Sequence, residues 1–148
     1  TILRRQRQMC IRDSSDAALA IDFAKIAYNG HRKTKNPLAA LYALNTLIFY
    51  SVEGGSHHDF EKAEEYVSLF LQEKSMDEDD LWQHRFDDTL ARYYHRMAVE
   101  SSAREKQFEN LETAIRFEKM ALEDSFNDPK VVTYYAQLHE LRNSWAGK

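Results

Sequence analysis

Hydrophobic residues recur every three or four positions along most of this chain, which is the spacing of one face of an α-helix. Strand-like alternation is nearly absent, and the chain contains only 4 Gly and 2 Pro, so the pattern favours long helices. Together with the start and stop signals, it predicts an all-α fold of about six helices, at residues 15–28, 37–52, 59–73, 76–101, 103–124 and 129–145.

Capping residues set most of these boundaries. Side chains that cap helices precede the second, third and sixth of them: Asn36, Asp59 and Asp128. Proline follows Asn36 and Asp128, which strengthens both starts. Glycine follows the first two helices, at Asn29-Gly30 and Gly54-Gly55, because it readily adopts the left-handed conformation that ends a helix. The first two helices are therefore expected to stop at those glycines.

The boundary between the fourth and fifth helices has no glycine or proline to mark it. It rests on Ser102-Ala103-Arg104-Glu105, which fits the capping box S-x-x-E. The fourth helix is expected to begin with a similar box, Ser75–Glu78. The alternative is a single helix from 76 to 124, a length that is unusual in a compact domain.

Two short patterns repeat along the chain and alternate with each other. The first occurs as "AIDFAKIAY", "AEEYVSLFL" and "AIRFEKMAL", at Ala20–Tyr28, Ala63–Leu71 and Ala114–Leu122. The second occurs as "LAALY", "LARYY" and "VVTYY", at Leu38–Tyr42, Leu90–Tyr94 and Val131–Tyr135. A small residue with an aromatic residue one turn away lets neighbouring helices approach closely. The alternation therefore predicts helical hairpins that stack side by side.

These motifs resemble the tetratricopeptide repeat (TPR), whose first helix carries L-[GA]-x-x-Y and whose second carries A-x-x-[YF]-x-x-x-A. Leu38-Ala39…Tyr42 fits the first motif, and Ala20…Phe23…Ala27 fits the second. The resemblance covers about residues 15–145, and its spacing exceeds the repeat's usual length of about 34 residues, so the helices are longer. It implies a TPR-like α-solenoid and a scaffold role, in which a peptide or partner helix binds on the concave face.

Within this resemblance, polar residues of two first-type helices are the candidate binding residues: Arg85, Asp88, Arg92, His95, Thr133 and Gln137. The first four are spaced i, i+3, i+7 and i+10, so they form one stripe on the fourth helix. A guanidinium offers a planar pair of donors, which suits a peptide carboxylate. The alternative is a solvated helix face with internal ion pairs.

The alternative function is a helical-bundle metal protein or enzyme that uses His84, Asp88 and His95, with Asp80 beside them. Two His and two carboxylates are reasonable metal ligands. However, ligands along one helix need a second helix to close the site, and the E-x-x-H motif of dinuclear bundles is absent from the sequence. No nucleophile or phosphate-binding motif occurs either. We therefore expect a protein that is not an enzyme and takes no cofactor.

Charge and composition narrow the partner to a protein or peptide. Residues 1–36 carry a net charge of +5 and the remainder −9, for a total of −4. An acidic body disfavours nucleic acid as a general ligand, and the basic segment His31–Lys35 is expected to be a solvated loop. No apolar run approaches the roughly 20 residues that span a bilayer. One cysteine allows no internal disulfide, which favours a cytoplasmic setting.

Residues 1–14 lie outside the repeat pattern and are expected to be a non-native or disordered stub. The codons of Met9–Ser14 can be written to match a transposon end used to prepare sequencing libraries, so this stretch is read as translated adapter. Cys10 is then no thiol site. Residues 15–148 form a single domain on this interpretation, a fragment of a longer array with further domains beside it.

Overall fold

The computed structural model describes residues 2–53, 58–74 and 83–148, with the side chains of 17–36, 38–53, 58–73 and 85–148. Within these ranges it contains six helices and no strand, which confirms the all-α class. The helices are α1 (Ile2–Lys33), α2 (Pro37–Glu53), α3 (Phe60–Lys74), α4 (Gln83–Glu100), α5 (Arg104–Asp124) and α6 (Pro129–Ala146). By their internal contacts they form two compact units, the N-terminal unit Thr1–Glu78 and the C-terminal unit Asp79–Lys148.

The first helix is longer at both ends than the sequence predicts. It passes through Gly30, and the left-handed residue that follows it is Lys35, with φ 54°. The Asn36 N–H donates to the His31 carbonyl at 3.0 Å, which closes the helix end. The predicted stop at Asn29-Gly30 is therefore wrong. Pro37 sets the end instead, because proline opens α2 and the chain must turn before it.

The extension at the start of α1 includes residues 2–14, whose backbone is helical and continuous with the rest of the helix. That these residues are a non-native stub stays a prediction. The basic segment His31–Lys35 is a helix end followed by a turn, not a separate loop. Thr34 Oγ1 donates to the Gly30 carbonyl at 3.2 Å in that turn.

The three capping residues act as predicted. Asn36 Oδ1 accepts from the Ala39 N–H at 3.3 Å, and Asp59 Oδ1 accepts from the Lys62 N–H at 3.1 Å. Asp128 Oδ1 accepts from the Lys130 N–H at 2.9 Å, directly before Pro129. The Gly54-Gly55 stop and the Ser75–Glu78 capping box lie outside the described residues.

The fourth and fifth helices are separate, since α4 ends at Glu100 and α5 begins at Arg104. The predicted cap at Ser102 is wrong, because Ala103 occupies the N-cap position and makes no side-chain capping bond. A start one residue later moves Glu105 out of the capping-box position. A side chain of α5 stabilises the turn between the two helices instead, because Gln107 Nε2 donates to the Ser101 carbonyl at 2.7 Å.

Each unit buries its own apolar core. In the N-terminal unit, α2 contributes most of it and lies against both α1 and α3, whose buried residues include Ala24, Ala63 and Phe70. In the C-terminal unit, α5 lies against both α4 and α6, and these helices enclose one cluster: Ala91, Ala98, Leu111, Ala114, Ile115, Tyr134 and Leu138. In the part of the chain that the structure describes, none of the helices has the length and apolar character to cross a membrane.

Candidate functional site

Three of the predicted binding residues meet in a polar cluster within the C-terminal unit. We call Asp88, Arg92, His95, Glu118 and Tyr134 the α4–α6 cluster, because α4 carries the first three, α5 the fourth and α6 the last. The spacing of Asp88, Arg92 and His95 on α4 follows the helix repeat, so all three can reach α5 and α6. Of the stripe predicted from the sequence, Arg92 and His95 contact Tyr134 of α6, within the same unit.

Arg92 is held on two sides. Its Nε donates to Asp88 Oδ2 at 3.1 Å, and its guanidinium carbon lies 4.3 Å from the centre of the Tyr134 ring. The Arg92 and Asp88 side chains are 24% and 22% exposed, so this ion pair is partly shielded from water and is stronger than a surface pair. Asp88 thus already occupies one of the donors that Arg92 could offer to an incoming carboxylate.

His95 binds the same aromatic residue from the next turn of α4. Its Nδ1 and the Tyr134 hydroxyl oxygen are 2.8 Å apart, a hydrogen bond between two half-buried or buried groups. Arg92 therefore contacts the ring of Tyr134 on α6, and His95 contacts its hydroxyl group. Polar contacts thus join α4 to α6 directly, beside the apolar cluster that both helices share with α5.

The other predicted binding residues do not join the cluster. Arg85, Thr133 and Gln137 are exposed on the surface of the C-terminal unit. The Thr133 hydroxyl donates to the Pro129 carbonyl one turn earlier at 2.8 Å. Of the six predicted residues, Asp88, Arg92 and His95 are thus brought together in the α4–α6 cluster.

Glu118 is the member of the cluster that the sequence reasoning missed. Its side chain is fully buried, and neither carboxyl oxygen meets the geometry of a hydrogen bond within the described residues. Burial and then the neighbouring negative charge of Asp88 raise the pKa of Glu118 to about 9, against the opposing effect of Arg92. Glu118 is therefore protonated at neutral pH.

The sequence did carry a signal for Glu118. In the gapless alignment of "AIDFAKIAY" with "AIRFEKMAL", Glu118 stands opposite Ala24. Ala24 belongs to the small-residue face of α1 and is buried. An acid at the equivalent position of α5 is therefore placed toward the core rather than toward water.

The metal prediction concerns residues that are only partly described. Asp80 and the His84 side chain lie outside the described residues, while Asp88 pairs with Arg92 and His95 with Tyr134. Among the side chains that the structure describes, no group of three His, Cys, Asp or Glu could hold a metal ion. A role for His84 stays a prediction.

A second candidate site is a groove between α1 and α2 in the N-terminal unit. Three large apolar side chains of α1 are exposed in this part of the helix, with Leu19 55%, Phe23 62% and Ile26 69% exposed. The groove is lined by small and aromatic residues of both helices: Ala20, Phe23, Ala24, Ala27, His31, Ala39, Tyr42, Ala43 and Thr46. We call this surface, with Leu19 and Ile26, the α1 groove. Ala20, Phe23, Ala27, Ala39 and Tyr42 are residues of the repeated motifs.

The corresponding motif of α5 has a different environment. Phe117, which aligns with Phe23, lies parallel to the Tyr94 ring of α4, with 5.6 Å between ring centres and 7° between planes. Ala114 and Ala121, which align with Ala20 and Ala27, are fully buried. One copy of the motif is thus covered by α4, whereas Phe23 in the other copy is mostly exposed.

We expect Tyr134→Phe to lower the free energy of unfolding by about 1 kcal/mol, because it removes the hydroxyl that bonds His95 and leaves the ring beside Arg92. Urea unfolding followed by tryptophan fluorescence measures this loss. Tyr135→Phe is the matched control at the adjacent, half-buried position, and should change stability by less than about 0.5 kcal/mol. Equal losses in the two variants would show that the His95 hydrogen bond contributes nothing specific.

Comparison of the chain with models of known protein families, with curated protein sequences and with solved structures finds no match.

Proposed function

We propose that this chain is a protein–protein interaction module of stacked, TPR-like helical hairpins, and that it holds a partner helix in the α1 groove. One observation carries the proposal: large apolar residues at i, i+4 and i+7 of α1 are exposed beside a floor of alanines. Contiguous exposed apolar surface is costly in water and is typical of binding sites. The spacing is the one through which helices dock into grooves.

The α4–α6 cluster supports a different role for the predicted binding stripe. Arg92 already pairs with Asp88, and His95 already bonds Tyr134. These contacts favour a structural role, in which the cluster fixes α4 and α6 on α5. We therefore place the partner on the N-terminal unit rather than on Arg92. Peptide contact by the exposed Arg85, Thr133 and Gln137 remains a weaker candidate.

The partner we propose is a protein or peptide, and the setting is the cytoplasm. Because one cysteine permits no internal disulfide, the chain suits a reducing compartment. The proposal involves no cofactor and no catalytic step.

Selection from a displayed library of helix-forming peptides tests the function. We expect the enriched peptides to bind the chain at micromolar to millimolar Kd and to lose at least tenfold in affinity when Phe23→Glu places a charge in the α1 groove. Phe126→Glu is the matched control, since Phe126 is 96% exposed and belongs to the C-terminal unit. Binding that is lost equally in both variants, or in neither, would contradict the proposed site.

A further inference from the structure

We infer that the helix held in the α1 groove presents an aromatic ring to Phe23 and an apolar side chain to Ala24. The inference rests on the proposed function and names the chemistry of its partner. It follows from the internal repeat, because the chain contains a second copy of the same motif that is already covered.

The covered copy shows which kind of element fits this motif. In α5, the aligned residue Phe117 is stacked against Tyr94 of α4, and both rings pack against the apolar cluster of the C-terminal unit. The covering element is therefore an amphipathic helix with an aromatic residue near its middle. Ala20, Phe23 and Ala27 align with Ala114, Phe117 and Ala121 of α5. They therefore offer a similar surface on which an aromatic ring can pack.

Among the motif residues of α1 that line the groove, one differs from its counterpart in α5. Glu118 lies under Asp88 and Arg92 of α4, whereas its counterpart in α1 is Ala24. An acid that approached Ala24 would lose its hydration and would meet only a methyl group there. A leucine or another apolar residue fills the space above an alanine without this cost. The α1 groove thus favours a helix that has an aromatic residue at the position of Tyr94 and an apolar residue at the position of Asp88.

Three peptides test this chemistry, each bridged by a lactam outside its apolar face so that it is helical when free. The first is residues 83–100, the sequence of α4 itself. The second carries Asp88→Leu, and the third carries Asp88→Leu with Tyr94→Ala. Fluorescence anisotropy measures their affinity for the chain, for Phe23→Ala and for the control Phe126→Ala.

We expect the Asp88→Leu peptide to bind the chain about tenfold more tightly than the α4 sequence. Removal of the ring by Tyr94→Ala should then weaken binding about 3- to 10-fold, the range of an aromatic pair. In the Phe23→Ala chain the same ring removal should have no effect, because its stacking partner is gone. Phe126→Ala should leave all three affinities unchanged.

The possible failures are distinguishable. If the peptides bind through Phe23 but the Tyr94→Ala change makes no difference, the inference is overturned and the proposed function stands. If no helical peptide binds in a way that depends on Phe23, both are overturned. If the chain dimerises and Phe23→Glu makes it monomeric, the occupant is a second copy, which also overturns the inference.

Discussion

Glu118→Gln should raise the free energy of unfolding of the C-terminal unit on the order of 2–3 kcal/mol at pH 7. The native pKa of Glu118 is about 9, against an ordinary value of 4.5, so at neutral pH the native chain holds a proton that the unfolded chain releases. The native state is therefore stabilised most below pH 4.5, and that stabilisation is lost as pH rises toward 9. Glutamine is neutral at every pH, and its amide can donate to Asp88, so the variant avoids this loss.

The difference between Glu118→Gln and the natural chain should be small at pH 4 and should grow steadily to pH 9. Urea unfolding followed by tryptophan fluorescence is the measurement, because Trp145 lies on α6 in the C-terminal unit. Glu123→Gln makes the same change at an exposed position of α5 and should move stability by less than about 0.5 kcal/mol. A stability difference that does not vary with pH would refute the buried, protonated state.

Phe117→Ala should lower the free energy of unfolding by about 2–3 kcal/mol, whereas Phe23→Ala should change it by less than about 0.5 kcal/mol. The two residues occupy aligned positions of the repeat, and the chemical change is identical. Phe117 loses its stacking on Tyr94 and its packing against the apolar cluster. Phe23 is 62% exposed and loses little on truncation.

Thermal and urea unfolding followed by far-ultraviolet circular dichroism compares these two variants over the whole chain. The pair separates a residue that holds the fold together from one that is available to a partner. Similar losses in both variants would mean that Phe23 is covered in the folded chain, and the α1 groove would then be closed to a partner.

The positions of the helices could be predicted from the sequence because their signals are local. Asn36, Asp59 and Asp128 cap the helices they precede through hydrogen bonds to residues two or three positions later. The end of α1 was missed because a glycine tolerates the helical conformation too, and Pro37 set the actual end. The predicted cap at Ser102 was wrong because the helix starts one residue later, a difference within the usual uncertainty of helix ends.

The candidate site was harder to predict because its contacts join residues far apart in the chain. The spacing of Asp88, Arg92 and His95 placed them on one stripe of α4. It could not show that Tyr134, some forty residues later, lies against that stripe. A helical period gives the direction of a side chain around its own axis and says nothing about the neighbour it meets. The α1 groove could not be predicted for the same reason, because the motif does not specify whether another helix covers it.

The exchange of Ala24 for Glu118 also bears on how a chain with internal repeats reaches its native arrangement. The aligned motifs give α1 and α5 two similar surfaces on which α4 could dock while the chain folds. Only the surface of α5 supplies a carboxyl group that lies close to Asp88, whereas α1 offers a methyl group. On the surface of α1, the Asp88 side chain would be desolvated against a methyl group, which disfavours that docking site. We therefore infer that Glu118, although it costs stability at neutral pH, helps the folding chain to distinguish two otherwise similar docking sites.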